Sequence, residues 1–276
     1  MRTLKATRGR LLFAIVSGFA VALLGGLIGL GGAEFRLPIL VALFGYAIRR
    51  AVVLNLLVSF VTVVAASAAR LTLSRAPSFP DDAVAVVASM IGGGMVGAYL
   101  GSAWVARLPD VGLRRLVRGL LFLIGTFLLI ESGFSWETRG LPLGLAGRVA
   151  FGLVAGSLIG VASTLLGVAG GELIIPTLVF AFGVGVKAAG TLSLLISVPT
   201  LAIGLWRHHA HGIGGPRADV TAMVLPMAGG SVAGAAAGAA LVAYVPGPAL
   251  KALLGVILVA SGLKLFEAKP AARDDG

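Results

Sequence analysis

Two stretches of this sequence place charged side chains inside otherwise apolar surroundings. The first is Gly29-Leu30-Gly31-Gly32-Ala33-Glu34-Phe35-Arg36-Leu37-Pro38; 138 positions later comes Gly167-Val168-Ala169-Gly170-Gly171-Glu172-Leu173-Ile174-Ile175-Pro176. Each is a glycine-rich break holding one carboxylate and ending at a proline. Glycines open backbone conformations closed to other residues and let main chain approach a ligand, while the first amides of a helix that starts there lack internal partners. Such a helix start carries about half a positive charge and suits an anion. The expected ligand-binding set is therefore Gly29, Gly31, Gly32, Ala33 and Glu34 from one break and Gly167, Gly170, Gly171 and Glu172 from the other. A carboxylate within a bilayer is costly to ionise, which makes Glu34 and Glu172 candidate proton carriers. The competing reading has each glutamate cap the neighbouring amides. Pro38 and Pro176 are expected in the first helical turn, where a missing N–H costs nothing.

Arg36 is matched by Ile174, so it breaks the symmetry. It pairs with Glu34, contacts an anion, or extends its stem to the outer interface; pairing or reaching is the expectation and ligand contact the secondary one. Asn55/Ser193, Ser59/Ser197 and Thr62/Thr200 recur at spacings near four and seven, hence on one helical face. Serine and threonine in spans also bond their own backbone. Because both halves set this stripe directly after the break, Asn55, Ser59, Ser193 and Ser197 are expected to line the same pocket.

The elements that carry these residues follow from composition. The 276 residues are 58% hydrophobic and 12% charged, with mean hydropathy +1.03; a soluble domain is roughly a quarter charged. An integral, all-α polytopic membrane protein is implied. The net charge of +11 gathers between apolar runs, without the basic groove and interleaved aromatics of a nucleic-acid binder, and reads as the positive-inside signal. There is no cysteine, which excludes disulfides, zinc thiolates, iron–sulfur clusters and thiol nucleophiles. His208, His209 and His211 lack acidic partners at ligand spacing and read as interfacial. No P-loop and no Ser/His/Asp set occurs, so no catalytic residue, metal or cofactor is expected.

The expected spans are 11–30, 35–46, 51–69, 83–106 and 115–130 in an N-terminal repeat over 1–138, and 149–166, 173–182, 188–206, 220–243 and 249–266 in a C-terminal repeat over 139–276. Segments 35–46 and 173–182 are short half-spans, 70–82 a polar loop, and 207–217 a cytoplasm-like loop. Between Leu27/Leu165 and Thr62/Thr200 the halves align without a gap, with 15 identities in 36 positions. Further along, Gly97/Gly234, Gly101/Gly238 and Pro109/Pro246 match at a shift of 137. If the short segments cross, a cytoplasmic N-terminus keeps Arg49, Arg50, the Arg107–Arg118 turn, the 207–217 loop and the C-terminus on the same side. Five crossings per repeat invert the second half relative to the first, a recurring plan of secondary transporters.

Gly29-x-Gly31-Gly32 with Pro38 and Gly167-x-x-Gly170-Gly171 with Pro176, each followed by a short apolar segment, resemble the TauE/SafE sulfite-exporter family over about residues 11–266. The resemblance implies a plasma-membrane permease, in the bacterial-type inner membrane, for small and often sulfur-containing anions such as sulfite or organosulfonates. Glu34 and Glu172 depart from the pattern, since most members have an apolar or small residue there. The expected partners are a small anionic substrate and the lipid bilayer, with no nucleic acid, and the chain is a monomer or homodimer. The alternatives are a cation- or proton-linked exchanger using Glu34 and Glu172, or a membrane assembly factor that transports nothing.

Overall fold

The computed structural model describes residues 8–46, 48–73, 82–104, 122, 125, 126, 129, 130, 140–166, 169–210 and 220–267, without the side chains of residues 34, 38, 42, 48, 49, 73, 102–104, 165, 166, 208–210, 251, 258 and 261–267. A bilayer offers no partner for free backbone N–H and C=O groups, so the apolar runs fold as helices. These are α1 (Arg8–Ile28), α2 (Ala33–Pro38), α3 (Ile48–Leu73), α4 (Ala83–Trp104), α5 (Leu145–Leu166), α6 (Gly171–Phe182), α7 (Val186–Ala210), α8 (Leu225–Leu241) and α9 (Gly247–Glu267). The short α2 runs on as a π-helical turn over Ile39–Leu43, and another π turn, Val220–Val224, leads into α8. Six of the described segments are long and apolar enough to cross a membrane. At about 1.5 Å rise per residue, the 21 residues of α1 match a hydrocarbon core of about 30 Å. The protein is an all-α, multi-pass membrane protein.

Most of the expected spans lie within a few residues of these helices, with three corrections. Residues 70–73 are not loop but the last turn of α3, because Arg70 finds buried acceptors there. Helix α7 continues through Arg207 to Ala210. Pro38 and Pro176 are each the sixth residue of their helix, not in its first turn. There each proline denies a helical hydrogen bond to the carbonyl four residues earlier, at Glu34 or Glu172. Of the expected element at 115–130, only the helical residues 122, 125, 126, 129 and 130 are described; His211 and the Arg107–Arg118 turn lie outside the described residues.

The main packing crosses the repeat boundary. Helix α1 lies along α8 from the second half, and α4 lies along α5. Both contacts are parallel and in matched register: Gly230 abuts the Ile15 carbonyl, Gly234 that of Phe19 and Gly238 that of Leu23, while Gly93 abuts Leu153, Gly97 abuts Ser157 and Gly101 abuts Val161. A β-carbon at any of these glycines would strike the facing backbone, so small residues set how closely the helices approach. Two clusters result. One joins α1, the turn after α2, α3 and α8 through residues such as Ala14, Leu40, Phe44, Leu54 and Met227. The other joins α4, α5, α6, α7 and α9 through Met90, Ile159, Ile175, Leu178 and Leu254, and takes in Ile28 and Leu30 from the end of α1 and the break after it. A third, with Ala22, Val63, Ala66, Ala169, Leu194 and Leu201, fills the seam between them, where α3 meets α7.

The ends of the short helices are pinned alike. Arg10, at the start of α1, donates to the Phe44 carbonyl at 3.3 Å and stacks over the Phe44 and Tyr46 rings, with Arg50 also over Tyr46. Arg148, 138 positions on, donates to the Phe182 carbonyl at 2.9 Å, stacks over the Phe182 ring and pairs with Asp82 at 2.7 Å. Each short helix thus runs back to the end from which the preceding span set out.

Candidate functional site at the paired breaks

Helix α1 ends because Gly29, at φ +101°, turns the chain; the Gly29 and Leu30 amides both donate to the Gly25 carbonyl at 2.8 Å. Gly32 and Gly170 then stand at equivalent N-cap positions of α2 and α6 in the left-handed conformation, at φ +67° and +76°. A β-branched or bulky residue is strongly disfavoured there, which explains why glycine recurs at these two positions.

The fold brings the two breaks into contact. A β-carbon built on Gly31 would lie 2.7 Å from that of Ala169, and one on Gly171 would lie 3.4 Å from the Gly29 carbonyl oxygen and 3.2 Å from Ser193 Oγ. Gly29, Leu30, Gly31, Gly32, Ala33, Ala169, Gly170 and Gly171 are all buried. Gly29 itself lies directly against the backbone of Gly190 in α7. The breaks are therefore closed over in this conformation.

The polar stripe faces them. Asn55 Nδ2 donates to the Ala33 carbonyl at 2.9 Å, and Ser197 donates to the Ala169 carbonyl at 2.9 Å. Ser193, also fully buried, has no hydrogen-bond partner for its hydroxyl among the described residues and sits at the start of α6. Thr62 and Thr200 bond their own backbone, to the carbonyls of Val58 and Ile196, but Thr62 Oγ1 also receives Arg36. Glu172 is buried in the first turn of α6. Gly167 and the side chain of Glu34 lie outside the described residues.

Arg36 overturns the expectation that it reaches the outer interface. Its side chain is fully buried and turns inward, with Nη1 donating to Ser59 Oγ at 2.9 Å and Nη2 to Thr62 Oγ1 at 3.2 Å and to the Gly31 carbonyl at 3.3 Å. The Gly31 carbonyl is the repeat equivalent of the Ala169 carbonyl that Ser197 serves. One acceptor position is thus satisfied by a permanent cation in the first break and by a neutral hydroxyl in the second. The open groove between α1 and α8, lined by Ile15, Val16, Phe19 and Pro226, is almost wholly apolar and lies apart from this chemistry.

A family model described as sulfite exporter TauE/SafE matches residues 2–128 and 151–275, nearly the whole chain. The chain belongs to this family. Its members are membrane transporters of the sulfite-exporter type, in keeping with the apolar helices and the permease reading. Neither the curated proteins nor the solved structures provide a match.

Several residues of this TauE/SafE protein escaped the sequence reading. Arg10 and Arg148 were detectable as one more identity at the 138-residue shift. Arg70 aligns with His208 and so gives no repeat signal. Its distinguishing mark is a charge at the end of nineteen residues, 51–69, that contain no other charge.

Proposed function

We propose that the protein is a secondary transporter for a small, sulfur-containing anion such as sulfite or an organosulfonate, working by alternating access of two inverted repeats. The observation that carries this reading is Arg36, a guanidinium fully buried among the apolar helices next to the point where the two breaks touch. A charge there is costly unless it serves ligand or ion movement, and its planar fork suits an oxyanion. The start of α6 complements it with helix-end amides and the Ser193 hydroxyl. At the first break, α2 is too short to offer much of a helix dipole, and Arg36 supplies the positive charge instead.

Inversion is supported by the two arginine clusters. Arg10, Phe44, Tyr46 and Arg50 gather where α1 begins, while Arg148 and Phe182 gather with Asp82 where α5 and α4 begin. With α1 parallel to α8 and α4 parallel to α5, each half supplies one helix to each pair. Cytoplasmic termini fit the basic N-terminal cluster.

Proteoliposomes preloaded with sulfite test the reading. The wild type is expected to exchange labelled sulfite, and Arg36→Met to fold but lose at least about 90% of the rate, since removing a group that acts on bound anion costs on the order of 1.4 kcal/mol per tenfold. Undiminished exchange by Arg36→Met sinks the anion-binding role. Competition by alkali cations in place of anions would favour an exchanger built on Glu34 and Glu172.

A further inference from the structure

Among the described residues Arg70, near the end of α3, is fully buried as Arg36 is, and the transport reading gives it no task. Its nitrogens divide their bonds unequally. Nε donates to the Gly26 carbonyl at 3.0 Å and Nη2 to the Leu27 carbonyl at 2.8 Å. Both are last-turn carbonyls of α1, which have no helical donor of their own. Nη1 instead crosses to α7, donating to the Lys187 carbonyl and to Thr191 Oγ1, each at 3.2 Å.

Helices α1 and α3 share one packed cluster and α7 belongs mainly to another, into which only the end of α1 reaches through Ile28, so of the Arg70 nitrogens Nη1 is the one that crosses to α7. The two bonds to α1 hold the guanidinium ready whether or not the seam is closed. Opening costs Arg70 only the two bonds of Nη1, in addition to the apolar contacts of the third cluster, and closing needs no search by a flexible side chain. Gly190 completes the contact: a β-carbon there would strike the Ile28 carbonyl and lie 2.9 Å from Nη1, so the seam shuts only because this residue has none.

We propose that Arg70 is a latch: anchored on α1 by Nε and Nη2, it closes through Nη1 the seam between the cluster of α1, α3 and α8 and the cluster of α4 to α7, at the end of the molecule where α3 terminates. The proposal rests on the alternating-access reading, for which it names a gate and the boundary between the moving bodies. That boundary follows the α3–α7 seam instead of the divide between the sequence halves. Its repeat equivalent in sequence is His208, so the duplication does not repeat the arginine.

The chain has no cysteine, so Leu30→Cys provides a single reporter within the seam, where Leu30 is 1% exposed. Its reaction rate with a membrane-impermeant methanethiosulfonate is measured in right-side-out and inside-out vesicles. Adding Arg70→Gln is expected to raise the rate at least tenfold from the side where α3 ends, with little change from the other. Thr191→Val keeps the arginine and its anchors, removes one Nη1 acceptor, and is expected to raise the same one-sided rate by about threefold or more, less than one charge-assisted hydrogen bond allows. An unchanged rate in both variants overturns the latch, as does an equal rise from both sides, which marks general loosening. Should Arg70→Gln fail to reach the membrane, Thr191→Val alone decides by the same criterion. The labelling uses no substrate, so failed sulfite exchange alongside one-sided labelling would reject the cargo and keep the gate.

Discussion

Three glycines share one backbone conformation but differ in surroundings, which allows the cost of side-chain atoms at the breaks to be separated from the cost of the turn. Gly45, Gly170 and Gly32 have φ +73°, +76° and +67°. An L-residue in the left-handed region costs roughly 1–2 kcal/mol, partly offset by a less flexible unfolded chain. At Gly45 a β-carbon meets nothing within 4 Å, so Gly45→Ala should cost about 1 kcal/mol. At Gly170 it meets Ile159 Cγ2 at 3.1 Å and Ser163 Cβ at 3.4 Å, which small side-chain shifts relieve. At Gly32 it meets Val21 Cγ1 at 2.6 Å and the Val21 carbonyl oxygen at 3.1 Å, and that carbonyl belongs to the α1 backbone. Overpacking of this kind adds about 1–3 kcal/mol, bringing Gly32→Ala to about 3 kcal/mol. With about 2–4 °C per kcal/mol for a chain of this size, detergent-solubilised protein should lose about 2–4 °C at Gly45→Ala and about 6–12 °C at Gly32→Ala, with Gly170→Ala between. Sulfite exchange by the survivors should be kept in Gly45→Ala and reduced in the other two. Equal thermal shifts for all three, or a largest shift at Gly45, would refute the claim that close packing at the breaks, beyond the turn itself, demands glycine.

Replacing both Glu34 and Glu172 with glutamine is expected to abolish the pH dependence of sulfite exchange; an unaltered pH profile would leave them as helix caps only. Ser197→Ala removes the hydroxyl that serves the buried Ala169 carbonyl and should cost about 1–3 kcal/mol in thermal unfolding. Thr200→Val, which loses only a bond to its own helix, should come close to neutral by the same measure.

The apolar runs were legible because length and hydropathy alone specify a membrane helix, and the breaks because duplication printed the glycines, glutamates and prolines twice. The residues that serve the breaks were equally visible: Asn55, Ser59 and Ser197 meet them because helical spacing put them on one face. Arg36 was found as a candidate but not placed, since a long side chain reaches in several directions and only the position of Ser59 and Thr62 decides among them. Arg70 reads as loop from sequence because a charge after an apolar run ordinarily marks a helix end. What reversed this was a set of carbonyls from the ends of other helices, which no local pattern encodes. The prolines differ from expectation for a related reason: each helix is capped by the left-handed glycine six residues before its proline, which puts the proline beyond the first turn, where its missing N–H would be free of cost.

Duplication supplied the geometry of the breaks twice, but the charge only once. Ser197 and Arg36 serve equivalent carbonyls, and in the first half the serine at the corresponding position, Ser59, has become an acceptor for the guanidinium. Arg36 is therefore held by α2 and α3, on the side of the seam that contains α1 and α8, while the Ser193 hydroxyl and the start of α6 lie on the other side. An anion between the breaks would be held by a fixed charge from one body and by dipoles from the other. Separating the bodies at either end then leaves the anion with the charge, because the attraction of a cation exceeds that of a hydroxyl and a helix end. On that reasoning an anion bound between the breaks would stay with the body that contains Arg36, and the body that contains Ser193 would open and close around it.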